Sequence, residues 1–202
     1  MTWYCWLKEW QTLVGSVIAV LAALATIWMM WLQSRQEGER HKKGLERKKL
    51  ASRARMPDAL SEMSAYARTV GRALMDNSKF PAAPAAAMQT LKEIIEHIDD
   101  NEAEKTFELV SWYQVQHARL TNGNKKYHGV ELDDLLYDAA LLQAHINRLF
   151  DYARNEEQST PVRKATRSEM IDALKNIVTI ASWAGEKDQM AGVITLIERR
   201  HE

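Results

Sequence analysis

Residues 13–32, LVGSVIAVLAALATIWMMWL, leave this chain the fewest options. Twenty consecutive uncharged residues, rising about 1.5 Å each in a helix, reach across the roughly 30 Å hydrocarbon core of a bilayer. The run is apolar around its whole circumference, which argues against an amphipathic helix laid on a soluble core. It is therefore expected to be a transmembrane helix preceded by a short segment, residues 1–12.

Aromatic residues flank the run: Trp3, Tyr4, Trp6 and Trp10 on one side, Trp28 and Trp31 at the other. Amphipathic rings prefer the headgroup level, and the helical rise from Trp10 to Trp31 is about 31 Å, so Trp6, Trp10, Trp28 and Trp31 are the expected interface residues. A cleaved signal peptide with Ala23-Leu24-Ala25 at its end is the rival reading. It fits poorly, because Lys8 is cancelled by Glu9 and cleavage would leave IWMMWL at the new terminus. Within the run Gly15, Ala19 and Ala23 recur every four residues, a small-residue stripe that permits a homodimer through close helix–helix contact.

Orientation follows from charge. Residues 33–55 hold nine Lys and Arg against three Glu, whereas Lys8 is the only cation on the other side of the run. The positive-inside rule places the C-terminal part in the cytoplasm and the N-terminus outside. Cys5, the one cysteine, then faces outward as a lone thiol.

The whole chain has 27 basic and 27 acidic residues, yet its neutrality conceals a division: residues 33–55 sum to +6 and residues 56–202 to −6. The basic collar, residues 33–56, contains Arg35, Arg40, Lys42, Lys43, Arg47, Lys48 and Lys49, which are the expected contacts to anionic lipid headgroups. Setting topology is the simpler role for the same charges. Nucleic-acid binding is disfavoured, since no aromatics interleave with the cations.

Beyond Pro57 the apolar period is helical almost throughout, so residues 57–202 are expected to form an all-α bundle of about five or six helices, with the first helix breaking near Pro57. Leu60, Met63, Ala67, Val70 and Leu74 form one stripe, and Met88, Leu91, Ile94, Ile95 and Ile98 another. Asn101 with Glu104 resembles a capping box opening a helix whose inner stripe is Phe107, Val110, Trp112, Val115 and Leu120. Gly123 is its expected cap. Leu132 to Phe150 gives the cleanest stripe. After a loop at 155–161, Thr166 with Glu169 forms a second capping box before Met170, Leu174, Ile177, Val178 and Ala181, with Gly185 closing that helix and Met190 to Ile197 forming the last. No period-two segment predicts a strand.

Chemistry-bearing patterns are sparse. Glu93, Glu96, His97, Asp99 and Asp100 crowd one helix end, which reads as an acidic solvated end rather than a metal site, because the paired Glu-x-x-His signature is missing. His117 and His145 lie on neighbouring helices. There is no nucleophile elbow, phosphate loop or dinucleotide fingerprint. The Arg-to-His spacing of HEPN-type ribonucleases occurs only at Arg35 and His41, inside the collar. Trp112, Tyr113 and Trp183 are read as packing residues. No catalytic residue, cofactor or metal is expected.

The opening WLKEWQTLVG, residues 6–15, followed by an Ala/Leu-rich span and a basic collar, resembles the anchors of small single-pass membrane proteins of bacterial genomes and their prophages. That resemblance covers about the first 60 residues and implies a bacterial inner membrane; it carries no site residues with it. The expected function is interaction with a protein partner at the cytoplasmic face. The alternative is a phage-related or defence-type effector that oligomerises and perturbs the bilayer.

Overall fold

A computed structural model of the chain describes residues 3–121, 127–154, 162–178 and 187–201. Six α-helices are described: α1 (Trp3–Met75), α2 (Ala85–Ile94), α3 (Asp100–Thr121), α4 (Val130–Ala153), α5 (Arg167–Ile177) and α6 (Lys187–Arg200). A 3-10 turn, Ile95–His97, joins α2 to α3, and no strand occurs among the described residues. The chain divides into two compact units, Met1–Arg47 and Lys48–Glu202.

In the first unit the large apolar side chains from Leu13 to Leu32 are all exposed. Among the described residues one helix, α1, is long and apolar enough to cross a membrane.

The second unit is a helical bundle centred on α4. Fourteen of the 24 α4 residues are buried, including Leu132, Leu136, Leu142, Ile146 and Leu149, because this helix packs against α3, α5 and α6 at once. The α1 stripe Leu60, Met63, Ala67, Val70 and Leu74 is buried as its spacing predicts, and so are Met88, Leu91, Ile94 and Ile98, with Ile95 half-buried. Core side chains begin upstream of Pro57, at Ser52 and Met56. The run 76–84, DNSKFPAAP, which is rich in turn formers and carries two prolines, separates α1 from α2: Asn77 takes a left-handed backbone with φ 48° and no helix resumes before Ala85.

Four expectations are corrected. α1 does not break at Pro57, which lies inside it. A proline there removes one backbone donor, but Met56, Ala59 and Leu60 around it are buried, and tertiary packing outweighs the lost rung. Asn101 is not a cap, since the Ala103 N–H donates to the Asp99 carbonyl at 2.8 Å and α3 begins at Asp100. Phe107 and Val115 are exposed rather than core, at 62% and 42%. α5 ends at Ile177, because Val178 is extended at φ −107° and ψ 131°. The Thr166–Glu169 capping box is present, with both reciprocal hydrogen bonds. Gly123, the 155–161 loop, Ala181, Trp183 and Gly185 lie outside the described residues.

Candidate functional site

Within the apolar segment the two hydroxyls are satisfied by the helix itself: Ser16 Oγ donates to the Leu13 carbonyl at 2.8 Å and Thr26 Oγ1 to the Ala22 carbonyl at 2.8 Å. Neither leaves an unmet donor facing outward, which is what a nonpolar surrounding requires. Trp28 and Trp31 lie with ring centroids 6.0 Å apart, and the Arg35 guanidinium sits 5.2 Å from the Trp31 ring. The first collar charge thus rests on the last aromatic of the segment. A Cβ at Gly15 would meet nothing within 4 Å beyond its own helix, and Ala19, Ala23 and Trp10 are exposed; the Trp6 side chain lies outside the described residues.

Arg35, Arg40, Lys42, Lys43, Arg47 and Lys48 are exposed. Lys49 is engaged instead: its Nζ lies 2.6 Å from Asp99 Oδ1. The acidic helix end is therefore partly occupied by cations of α1, since Arg55 also pairs with Glu93 at 2.9 Å. The hydrogen bond from Lys49 holds the Asp99 carboxyl below its ordinary range, against a smaller opposing effect of burial. No group of three or more potential metal ligands forms among the described residues. His117 and His145 turn to different partners, His117 to the Tyr66 hydroxyl at 3.3 Å and His145 toward Glu108 at 3.8 Å.

Among the described residues, a half-open groove of about 790 Å³ lies on the second unit. Its walls are two helices running antiparallel, as the Glu108–His145 and Arg119–Asp138 contacts require. α3 contributes Phe107, Trp112 and Val115, and α4 contributes Tyr137, Leu141 and His145. Both sets recur at about every fourth position, so each wall is a stripe roughly 12 Å long at the helical rise. The sequence missed this groove because α3 is apolar on two faces. Its inner face is Leu109, Val110, Tyr113 and Leu120; its outer face has Phe107 and Val115 uncovered.

The groove is polarised. At one end the Arg200 guanidinium lies 4.5 Å over the Tyr137 ring and reaches Asp134 at 3.0 Å. Tyr137 is 2.8 Å from His201 Nε2, and His201 Nδ1 is 2.7 Å from the Ala165 carbonyl. A carbonyl only accepts, so Nδ1 carries the proton and, in the neutral ring, Nε2 accepts from the Tyr137 hydroxyl. Arg163, beside this end, is held bidentately by Glu169 at 2.7 and 2.9 Å. Burial would raise the Glu169 carboxyl, but Arg163 and Thr166 overcome it and bring it to about 2. Lys164 is exposed and has no ion-pair partner among the described residues. At the other end stands Glu108. Burial, aided by Arg148, brings His145 down to about 4, so at neutral pH that ring is uncharged and its 3.8 Å approach to Glu108 is not an ion pair. Among the described residues, a cation and a carboxylate without ion-pair partners thus mark opposite ends of an apolar trough.

Compared with known proteins, the chain matches no family model, no curated protein and no solved structure. Its functional reading rests on the two surfaces just described.

Proposed function

We propose that the chain is a single-pass protein of the bacterial inner membrane whose helical body acts by binding a protein partner at the cytoplasmic face, without a catalytic step. The observation carrying this reading is the uncharged segment 13–32, whose large side chains are exposed on every side of the helix. Exposed apolar surface costs about 25 cal/mol per Å² in water, so a sleeve this long needs a nonpolar surrounding. A bilayer supplies one of matching thickness. The exposed cations Arg35, Arg40, Lys42, Lys43 and Arg47 that follow it favour the cytoplasmic placement of the body and offer contacts to anionic headgroups.

The test is expression with a reporter after Glu202 that is active only outside the cytoplasm, combined with extraction of membranes at alkaline pH. The expected result is a silent reporter and a chain that stays with the lipid. Release into the alkaline supernatant sinks the anchor, and an active reporter sinks the orientation. A potential-sensitive dye in the same cells should show no change on induction; collapse of the potential would instead favour an effector that perturbs the bilayer.

A further inference from the structure

Among the described residues, one groove of the bundle is wide enough for another helix. α3 turns Phe107, Trp112 and Val115 toward a trough whose opposite wall is Tyr137, Leu141 and His145, and no described segment fills it. A trough about 12 Å long between two antiparallel helices accepts the face of a third helix, whose apolar residues at i, i+3 or i+4 and i+7 span about 10.5 Å. Charge selects among such helices. Lys164 lies by the end where Arg200 and His201 gather, Arg163 and Arg200 there are already matched by Glu169 and Asp134, and Glu108 stands at the other end. An occupant therefore gains at the Lys164 end from negative charge and at the Glu108 end from positive charge. A helix offers both in its own dipole, negative at its C-terminus and positive at its N-terminus.

We propose that the groove between α3 and α4 binds an amphipathic helix of a partner protein, its apolar face on Phe107, Trp112, Val115 and Leu141 and its acidic C-terminal end at Lys164. This rests on the reading of the body as a binding module and names the chemistry of its partner. The body as a whole is acidic, with residues 56–202 summing to −6, so the Lys164 end is a local exception that orients the occupant.

The experiment uses the full chain in nanodiscs of phosphatidylcholine, with empty nanodiscs subtracted. The probe is a fluorescein-labelled 15-residue helical peptide with Leu at i, i+3, i+4 and i+7, Lys in its first turn and Glu in its last. Its control has the same composition with Lys and Glu exchanged. Fluorescence anisotropy should show saturable binding, at least tenfold tighter for the acidic-ended peptide. Phe107→Asp should abolish that binding and Lys164→Glu should remove the preference, while Val130→Asp, at a position 78% exposed outside this groove, leaves both intact. Phe107 and Lys164 are exposed, so neither change removes a core contact. Equal affinity for both peptides, no binding of either, or indifference to Phe107→Asp overturns the proposal. So does displacement of the peptide by dodecyl phosphate, which would make the groove an acyl-chain site. Two-copy particles in mass photometry that vanish with Phe107→Asp would make the occupant a second copy. Alkaline extraction of the same preparation is scored separately, so an anchored chain that ignores both peptides counts against the groove and not against the anchor.

Discussion

Lys49 Nζ meets Asp99 Oδ1 at 2.6 Å, joining positions 50 residues apart. The other carboxylate oxygen accepts from the Tyr152 hydroxyl at 2.9 Å, and the Arg53 guanidinium lies 4.1 Å from the Tyr152 ring. A single carboxylate thereby links α1, the start of α3 and the end of α4. Both partners of the ion pair are about one-third exposed, at 38% and 34% of their side chains, so solvent screening limits it to at most about 1 kcal/mol. A double-mutant cycle of Lys49→Gln and Asp99→Asn, followed by urea unfolding in mild detergent, should give a coupling of roughly 0.5–1 kcal/mol. Additive effects would show that the contact contributes nothing of its own.

Two helical glycines should respond oppositely to alanine. At Gly71 a Cβ would sit 3.0 Å from the Ile177 backbone carbonyl oxygen and 3.2 Å from the Ile177 Cβ, so α1 and α5 approach too closely for a methyl. At Gly192 the obstacle is only the carboxylate end of Asp133, a side chain that can rotate away. Alanine is worth about 1 kcal/mol over glycine in a helix interior, and that gain is realised only where nothing rigid stands in the way. Gly192→Ala is expected to raise the unfolding midpoint and Gly71→Ala to lower it, the latter with a loss of about 1 kcal/mol or more in stability. Thermal unfolding followed by circular dichroism at 222 nm decides the signs.

His145 makes the fold acid-sensitive. Its folded pKa is about 4 against an ordinary 6.5, owing to burial first and Arg148 second. Between those values the unfolded chain holds a proton that the folded chain rejects. The stabilisation is complete above pH 6.5 and is lost as pH falls toward 4, by about 3 kcal/mol in all. Asp138, raised by burial despite Arg119, acts with the opposite sign, but it is common to parent and variant. His145→Gln should lose less stability than the parent between pH 7 and pH 4.5. Identical acid profiles would show that His145 is solvated in the folded chain.

Gln116 is 1% exposed, and neither its side-chain oxygen nor its nitrogen has a hydrogen-bond partner among the described residues. A buried polar group left unmet costs about 1–3 kcal/mol. Methionine has nearly the same length and no such demand. Gln116→Met should therefore stabilise the chain by about 1 kcal/mol in urea unfolding; destabilisation would mean that ordered water serves the amide.

α3 also shows where sequence reading stops. Periodicity reports that apolar residues recur every three or four positions, but α3 carries two such series, and one ends in the core while the other lines the groove. Leu109 and Tyr113 are buried beside Glu102, Lys105, Thr106 and Gln116, polar residues that no apolar count places inside. The Lys105 ammonium donates to Glu102 at 2.7 Å, and only the fold reveals that the pair is buried. α4 was legible because its apolar stripe continues over most of its length and is buried, and Thr166 with Glu169 because a capping box is local. The groove was not legible: its walls come from α3 and α4, and its charged end from residues 163–164 and 200–201, so it exists only once the bundle closes.

The collar supplies the last prediction. Topology responds to Lys and Arg close to the ends of a span and hardly to acids, so Glu37, Glu39 and Glu46 should not weaken the signal of Arg35, Arg40, Lys42 and Lys43. Lys49 is already committed to Asp99 and is a poor candidate for the same role. Changing Arg35, Arg40, Lys42 and Lys43 to Gln while introducing Gln11→Lys and Thr2→Lys reverses the local bias without touching the apolar run. In the parent, a reporter after Glu202 that works only outside the cytoplasm should be silent; in this variant a substantial share of molecules should make it active. Glu37→Gln with Glu39→Gln, by contrast, should leave it silent. A reporter that stays silent in the charge-reversed chain would mean that the folded body, and not the collar, decides which side it occupies.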